Sequence, residues 1–131
     1  MIAIDTNVLV RFLVEDDRAQ TRRAQALFAK TIAQGDKVFI PDLVLVETVW
    51  VLSRSYRVSK REIVTVLKLL IIAQHVQVES KERVQDALKA FERGKGGFAD
   101  CLIREIAYAN GCSSVATFDQ DLLKDKGFFA P

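Results

Sequence analysis

Histidine is almost missing from this chain: there is one, His75, in 131 residues. Cysteine is nearly as scarce, with only Cys101 and Cys112. Two thiols and one imidazole do not make a thiolate zinc site, and a lone histidine excludes mechanisms that need a pair. Two prolines, six glycines and no repeated short words exclude a collagen, a linker or a low-complexity chain. Charge of one sign is also lacking. Lys plus Arg is 19 and Asp plus Glu is 17, a net charge of +2. That excludes an extended polybasic arm and leaves room for a local basic patch. No apolar run reaches membrane-spanning length, because Glu47 interrupts 43–52 and Lys68 interrupts 63–73. The opening Met1-Ile2-Ala3-Ile4-Asp5 has neither a basic region nor a long apolar one, unlike a signal peptide. The expected location is the cytoplasm, with no membrane partner and with both cysteines as free thiols. If the protein is an enzyme, carboxylates must carry its chemistry.

What is present is a core-forming chain, half hydrophobic, of a length that suits one domain spanning 1–131. Ile2-Ala3-Ile4 reads as a buried first strand ending on Asp5. Residues 6–14 read as a short helix with Asn7 as its N-cap. In 18–34, Ala24, Leu27, Phe28 and Thr31 share one helical face, and Gly35 stops the helix. Val38-Phe39-Ile40 is a second strand. Residues 43–54 are apolar nearly all round, which predicts a deeply buried helix with Trp50 in the core. Ser59 and Ser80 cap two further helices on either side of a third strand, Val76-Gln77-Val78. A glycine-rich loop, 94–97, leads to a helix over 98–110. A fourth strand over 113–117 follows, then a polar turn at 120–126 and a small edge strand at Phe128-Phe129. Strands alternating with helices predict an α/β fold, a mostly parallel central sheet of four or five short strands flanked by helices.

Most of the acids fall in loops, caps or polar faces. Four stand out. Glu47 interrupts an apolar helix, and a carboxylate there is costly unless paired or metal-bound. Asp5 and Asp119 sit at strand ends, where open parallel sheets bind ligands. Asp100 opens the apolar helix after the glycine loop. Each has a plain structural reading as well: an ion pair or exposed stripe for Glu47, a favourable first-turn charge for Asp100, and caps for Asp5 and Asp119. Clustered carboxylates without histidine or thiolate suit a hard cation such as Mg²⁺, and the chemistry such sites serve is phosphodiester hydrolysis. Thr6 and Asn7 directly follow Asp5, and Thr117 shares a strand face with Asp119. All three are placed to steady a carboxylate or a water.

At these positions the chain resembles the PIN-domain family, and within it the VapC-type toxins of VapBC toxin–antitoxin pairs. Ile4-Asp5-Thr6-Asn7-Val8-Leu9 matches the first-strand motif. Pro41 to Leu52 matches the segment bearing the helical acid, here Glu47. Gly97-Phe98-Ala99-Asp100-Cys101-Leu102-Ile103 and Ala116-Thr117-Phe118-Asp119 match the last two acidic motifs. The resemblance covers nearly the whole chain. It implies a Mg²⁺- or Mn²⁺-dependent endoribonuclease with Asp5, Glu47, Asp100 and Asp119 as catalytic metal ligands. It further implies an RNA substrate (tRNA among the candidates), a homodimer, and a cognate VapB-type antitoxin that occludes the acidic pocket. Gly97 stands where many relatives carry a further acid.

Basic residues at Arg22, Arg23, Arg54, Arg57, Lys60, Arg61, Arg93 and Lys95 are available to an RNA backbone. Arg93 and Lys95, in the glycine loop before Asp100, are the favoured contacts, since glycines permit close backbone approach to phosphate. Two other readings remain. One is a non-catalytic RNA- or protein-binding module of the same fold. The other is a phospho-receiver with Asp42 as acceptor, which leaves Glu47 unexplained.

Overall fold

The computed structural model describes residues 1–131. The chain resolves into two compact units, Met1–Glu79 and Ser80–Pro131. The first contains β1 (Ile2–Ala3), α1 (Thr6–Leu13), α2 (Arg18–Ala33), β2 (Val38–Ile40), α3 (Asp42–Arg54), α4 (Lys60–Ile72) and β3 (Val76–Val78). The second contains α5 (Lys81–Arg93), α6 (Phe98–Ala109), β4 (Val115–Ala116), a 3₁₀ turn (Leu122–Lys124) and β5 (Phe128–Phe129). All five expected strands form, and every pairing is parallel. They are divided between two sheets, one in the order β1-β2-β3 and one pairing β4 with β5.

In the first unit β2 is the central strand, and both Val38 and Ile40 are buried. Strand β1 is an edge. Ile2 and Ala3 are exposed and only the following Ile4 is buried, so the expectation of a buried first strand fails for the strand itself. Parallel pairing needs a long crossover, and α2 supplies the one between β1 and β2. Its buried face is Thr21, Ala24, Phe28 and Thr31, at helical spacing. Phe28 stacks on Phe12 of α1 with ring centroids 4.0 Å apart. Gly35 closes α2 at φ +69°, a left-handed conformation that favours glycine.

Helix α3 corrects two expectations. It is not buried all round. Leu43, Glu47, Trp50 and Arg54 recur at helical spacing and form an exposed stripe, with Leu43 68% and Trp50 58% accessible. Trp50 is therefore a surface residue rather than a core one, and the Arg54 guanidinium lies 5.3 Å from its ring centroid. The opposite face, Val44, Leu45, Thr48, Val49 and Leu52, is buried. The periodicity was masked because the exposed stripe carries two large apolar residues.

Thr48 on that buried face is fully inaccessible, and its Oγ1 has no hydrogen-bond partner. A desolvated hydroxyl without a partner is a net cost. Thr48→Val keeps the branched shape and removes that cost. It is expected to raise stability by about 1 kcal/mol, read as a higher urea midpoint at unchanged slope. A lower midpoint would show that the hydroxyl is satisfied.

In the second unit α5 and α6 pack on each other. Val84, Ala87, Leu88 and Phe91 of α5 are buried, as are Phe98, Cys101 and Leu102 of α6. Phe91 meets Phe98 edge to face, centroids 6.0 Å apart. Cys101 is buried and Cys112 exposed, both as free thiols. Ser59 and Ser80 act as the expected caps, accepting from Glu62 N and Arg83 N at 3.2 and 3.3 Å.

Candidate active site

Asp5, not Asn7, caps α1. Its backbone is extended and its Oδ1 accepts from Val8 N at 3.1 Å. Asn7 falls one residue inside the helix instead, exposed in the first turn, and Thr6 opens the helix, half-buried. Asp100 occupies the first turn of α6, half-buried, where its Oδ2 accepts from Gly97 N at 3.3 Å. That amide is one of the orphan donors of a helix start. Asp119 sits beyond β4. Its Oδ1 accepts from Asp121 N at 2.9 Å and from Leu122 N at 3.3 Å. The Thr117 hydroxyl accepts from Asp119 N at 3.1 Å, so Thr117 steadies the backbone that carries the acid. Glu47 lies on the exposed stripe of α3.

Three of the four candidate acids thus share one arrangement. One carboxylate oxygen is tied to backbone N–H groups, and the other takes no hydrogen bond. None of the four is ion-paired, in a chain holding 19 Lys and Arg. The structural duties of Asp5, Asp100 and Asp119 leave each with an oriented, unneutralised oxygen. As a donor set these are hard oxygens throughout, and they fit Mg²⁺ or Mn²⁺ by chemistry. Asp5 and Glu47 belong to the first unit, Asp100 and Asp119 to the second. The structure draws no three His, Cys, Asp or Glu side chains into one metal-holding group.

Beside Asp5 the first unit contains a cleft of about 390 Å³ between α1 and α2. Asp5, Asn7, Val8 and Arg11 line it from one side, and Gln20, Arg23, Ala24 and Leu27 from the other. Arg11 is fixed there. It donates to Gln20 Oε1 at 2.6 Å, Asp16 Oδ1 at 2.9 Å and Tyr56 Oη at 3.0 Å. The Tyr56 hydroxyl in turn donates to Asp16 Oδ2 at 2.8 Å. The bond with Tyr56 first, and then the nearby Asp16 charge, push the Arg11 pKa up, and the Tyr56 and Arg11 contacts hold the Asp16 carboxyl below its ordinary range. Sequence reading missed this network. Its one signal was an arginine inside the apolar run of α1.

The glycine loop has a packing role that the sequence did not show. Lys95 N and Gly96 N both donate to Asp125 Oδ2, at 3.2 and 3.4 Å. A Cβ on Gly94 would stand 2.6 Å from that oxygen, and one on Gly96 2.4 Å from Leu122 Cδ2. The glycines let the loop close on the 3₁₀ turn, and two of its amides are already taken. Arg93 and Lys95 keep exposed side chains. Asp125 was read only as a polar-turn acid, and nothing local marked its partner about thirty positions away. Asp42, the alternative phosphoacceptor, is buried, with its backbone N donating to Glu79 Oε1 at 2.9 Å. A buried acid is poorly placed to take a phosphoryl group from a small donor.

Comparison with known proteins bears on the chain as a whole. A family model described as the PIN domain matches residues 2–128. A protein named VapC ribonuclease, from Aquifex aeolicus (strain VF5), is 29% identical over 125 residues, which is 95% of this chain and 91% of that protein. The crystal structure of Mycobacterium tuberculosis VapC20, described as a sarcin-ricin loop cleaving toxin, aligns over 95% of this chain and 94% of that one. Its identity is 19% and its TM-score 0.46. The family match covers nearly the whole chain, and on that ground the chain belongs to the PIN-domain family.

Proposed function

We propose that this protein is a VapC-type endoribonuclease toxin, in which the whole chain, 1–131, acts as one PIN domain on RNA. Asp5, Glu47, Asp100 and Asp119 would hold Mg²⁺ or Mn²⁺. The observation that carries the reading is the set of carboxylate oxygens in Asp5, Asp100 and Asp119 that stay unspent and unpaired while their partner oxygens are anchored to backbone amides. The curated relative named as a ribonuclease supports it.

Such an ion, when bound, lowers the pKa of a water and stabilises charge on the leaving oxygen. The chain's own contribution is orientation. Val8 N, Gly97 N, and Asp121 N with Leu122 N hold three carboxylates so that each presents one fixed oxygen. Thr117 steadies Asp119 through its backbone, and Thr6 and Asn7 flank Asp5. Arg93 and Lys95, exposed ahead of Asp100, meet the RNA backbone. The reading extends to a homodimer, a cytoplasmic location and a VapB-type antitoxin that covers the acids.

The test is cleavage of structured RNA, total tRNA included, by antitoxin-free protein in Mg²⁺ or Mn²⁺ and in EDTA. Cutting that stops in EDTA and returns with added Mg²⁺ or Mn²⁺ is expected. Cutting that ignores EDTA would overturn the metal site. A folded, ion-binding protein that cuts no RNA in the pool would favour the non-catalytic module.

A further inference from the structure

The cleft beside Asp5 contains two arginines in very different states. Arg11 is already engaged by Asp16, Gln20 and Tyr56. Its charge is offset by Asp16, and its Nε and Nη1 are both committed. Arg23 also lines the cleft, is exposed, and makes no ion pair. Of the two cations in that cleft, it is the one whose charge no acid offsets. Its neighbour Arg22 is equally exposed but does not line the cleft.

Contacts between Arg11 and Gln20, and between Arg11 O and Thr21, pin one end of the groove. Asn7 and Asp5 lie toward the start of α1, about 6 and about 9 Å along its axis from Arg11 at 1.5 Å per residue. Arg23 stands roughly one helical turn on from Gln20. Val8, Ala24 and Leu27 supply an apolar floor. A groove with a carboxylate, one open guanidinium and an apolar floor suits a nucleotide. The guanidinium takes a phosphate by paired N–H donors, and the floor takes ribose or base. A strand whose scissile phosphate lies at Asp5 must place a flanking phosphate nearby, and phosphate contacts of this kind set register.

We propose that the α1–α2 cleft is a phosphate subsite for the RNA strand, with Arg23 as its cation and positioning residue. This rests on the ribonuclease reading, since it uses Asp5 as the mark of the scissile position. The test is binding of a short labelled single-stranded RNA to the full chain carrying Asp100→Asn in Mg²⁺, across a salt series. Arg23→Ala and Arg22→Ala, which remove the same charge from adjacent exposed positions, are compared in that background. Arg23→Ala is expected to weaken binding about tenfold. It should also flatten the slope of log affinity against log salt by about 0.7, the share of one single-strand phosphate. Arg22→Ala should do much less. Arg23→Lys, which keeps the charge but not the fork, should restore the slope and only part of the affinity. Equal effects of the two alanine variants, or none, overturn the subsite and leave the ribonuclease reading standing. Absence of RNA binding by the parent chain overturns both.

Discussion

Asp100→Asn is expected to lower RNA cleavage by more than about 100-fold, beyond what loss of a group supporting a ligand typically costs, while stability changes by less than about 1 kcal/mol. The two readouts separate because Asp100 has two tasks. Its Oδ2 accepts from Gly97 N, and an asparagine amide oxygen accepts that bond as well. What the amide does not supply is a second anionic oxygen for a cation. Asp5→Asn should behave alike, since asparagine is as good an N-cap as aspartate. Asp119→Asn keeps an acceptor for Asp121 N and Leu122 N. Alanine at these positions would confuse the tasks, removing cap and ligand together. The measurements are cleavage rate and Mg²⁺ affinity beside thermal unfolding. An Asp100→Asn chain that cuts at the parent rate would remove Asp100 from the site. One that unfolds would show that the charge, not the acceptor, holds the start of α6.

Gly127→Ala is expected to cost about 2–5 kcal/mol, combining left-handed backbone strain with overpacking. That is on the order of a 10 °C fall in Tm for a chain of this size. Gly127 has φ +92°, and a Cβ there would stand 2.1 Å from Tyr108 Oη and 2.6 Å from Arg104 Cδ. Neither neighbour moves without consequence. Arg104 donates to Lys126 O at 2.7 Å, pairs with Glu105 at 3.2 Å and lies 5.6 Å from the Phe128 ring centroid. Gly127 O also accepts from Val115 N at 2.8 Å, so the strain falls on the pairing of β4 with β5. Tyr108→Phe removes the hydroxyl that the new methyl would strike. In that background Gly127→Ala should lose less, and a double-mutant cycle measures the difference. No coupling between the two positions would place the cost in the backbone and the Arg104 contact.

The site was legible in the sequence as chemistry rather than as an assembly. With one histidine and two cysteines, carboxylates were the remaining acid–base and metal-binding groups, and the four that stood out fall within the matched family region. Glu47 was singled out for a buried environment that the structure does not give it. Its helix looked buried on every side because Leu43 and Trp50 are apolar, yet they share the exposed stripe with it. The glycine loop was noticed, but not that Asp125 takes two of its amides.

By itself the sequence determined the elements, their order and most of their caps. Helical and strand periods, serine caps and glycine stops are local, and each acts within a few residues. It also determined the family. Tertiary structure alone decided which face of α3 is covered, which arginine of the α1–α2 cleft is spoken for, and what closes the loop before Asp100. Those outcomes depend on partners far away in the chain, as Tyr56 is from Arg11 and Asp125 from Gly96. A period states which residues share a face, and only the packed chain states what that face meets.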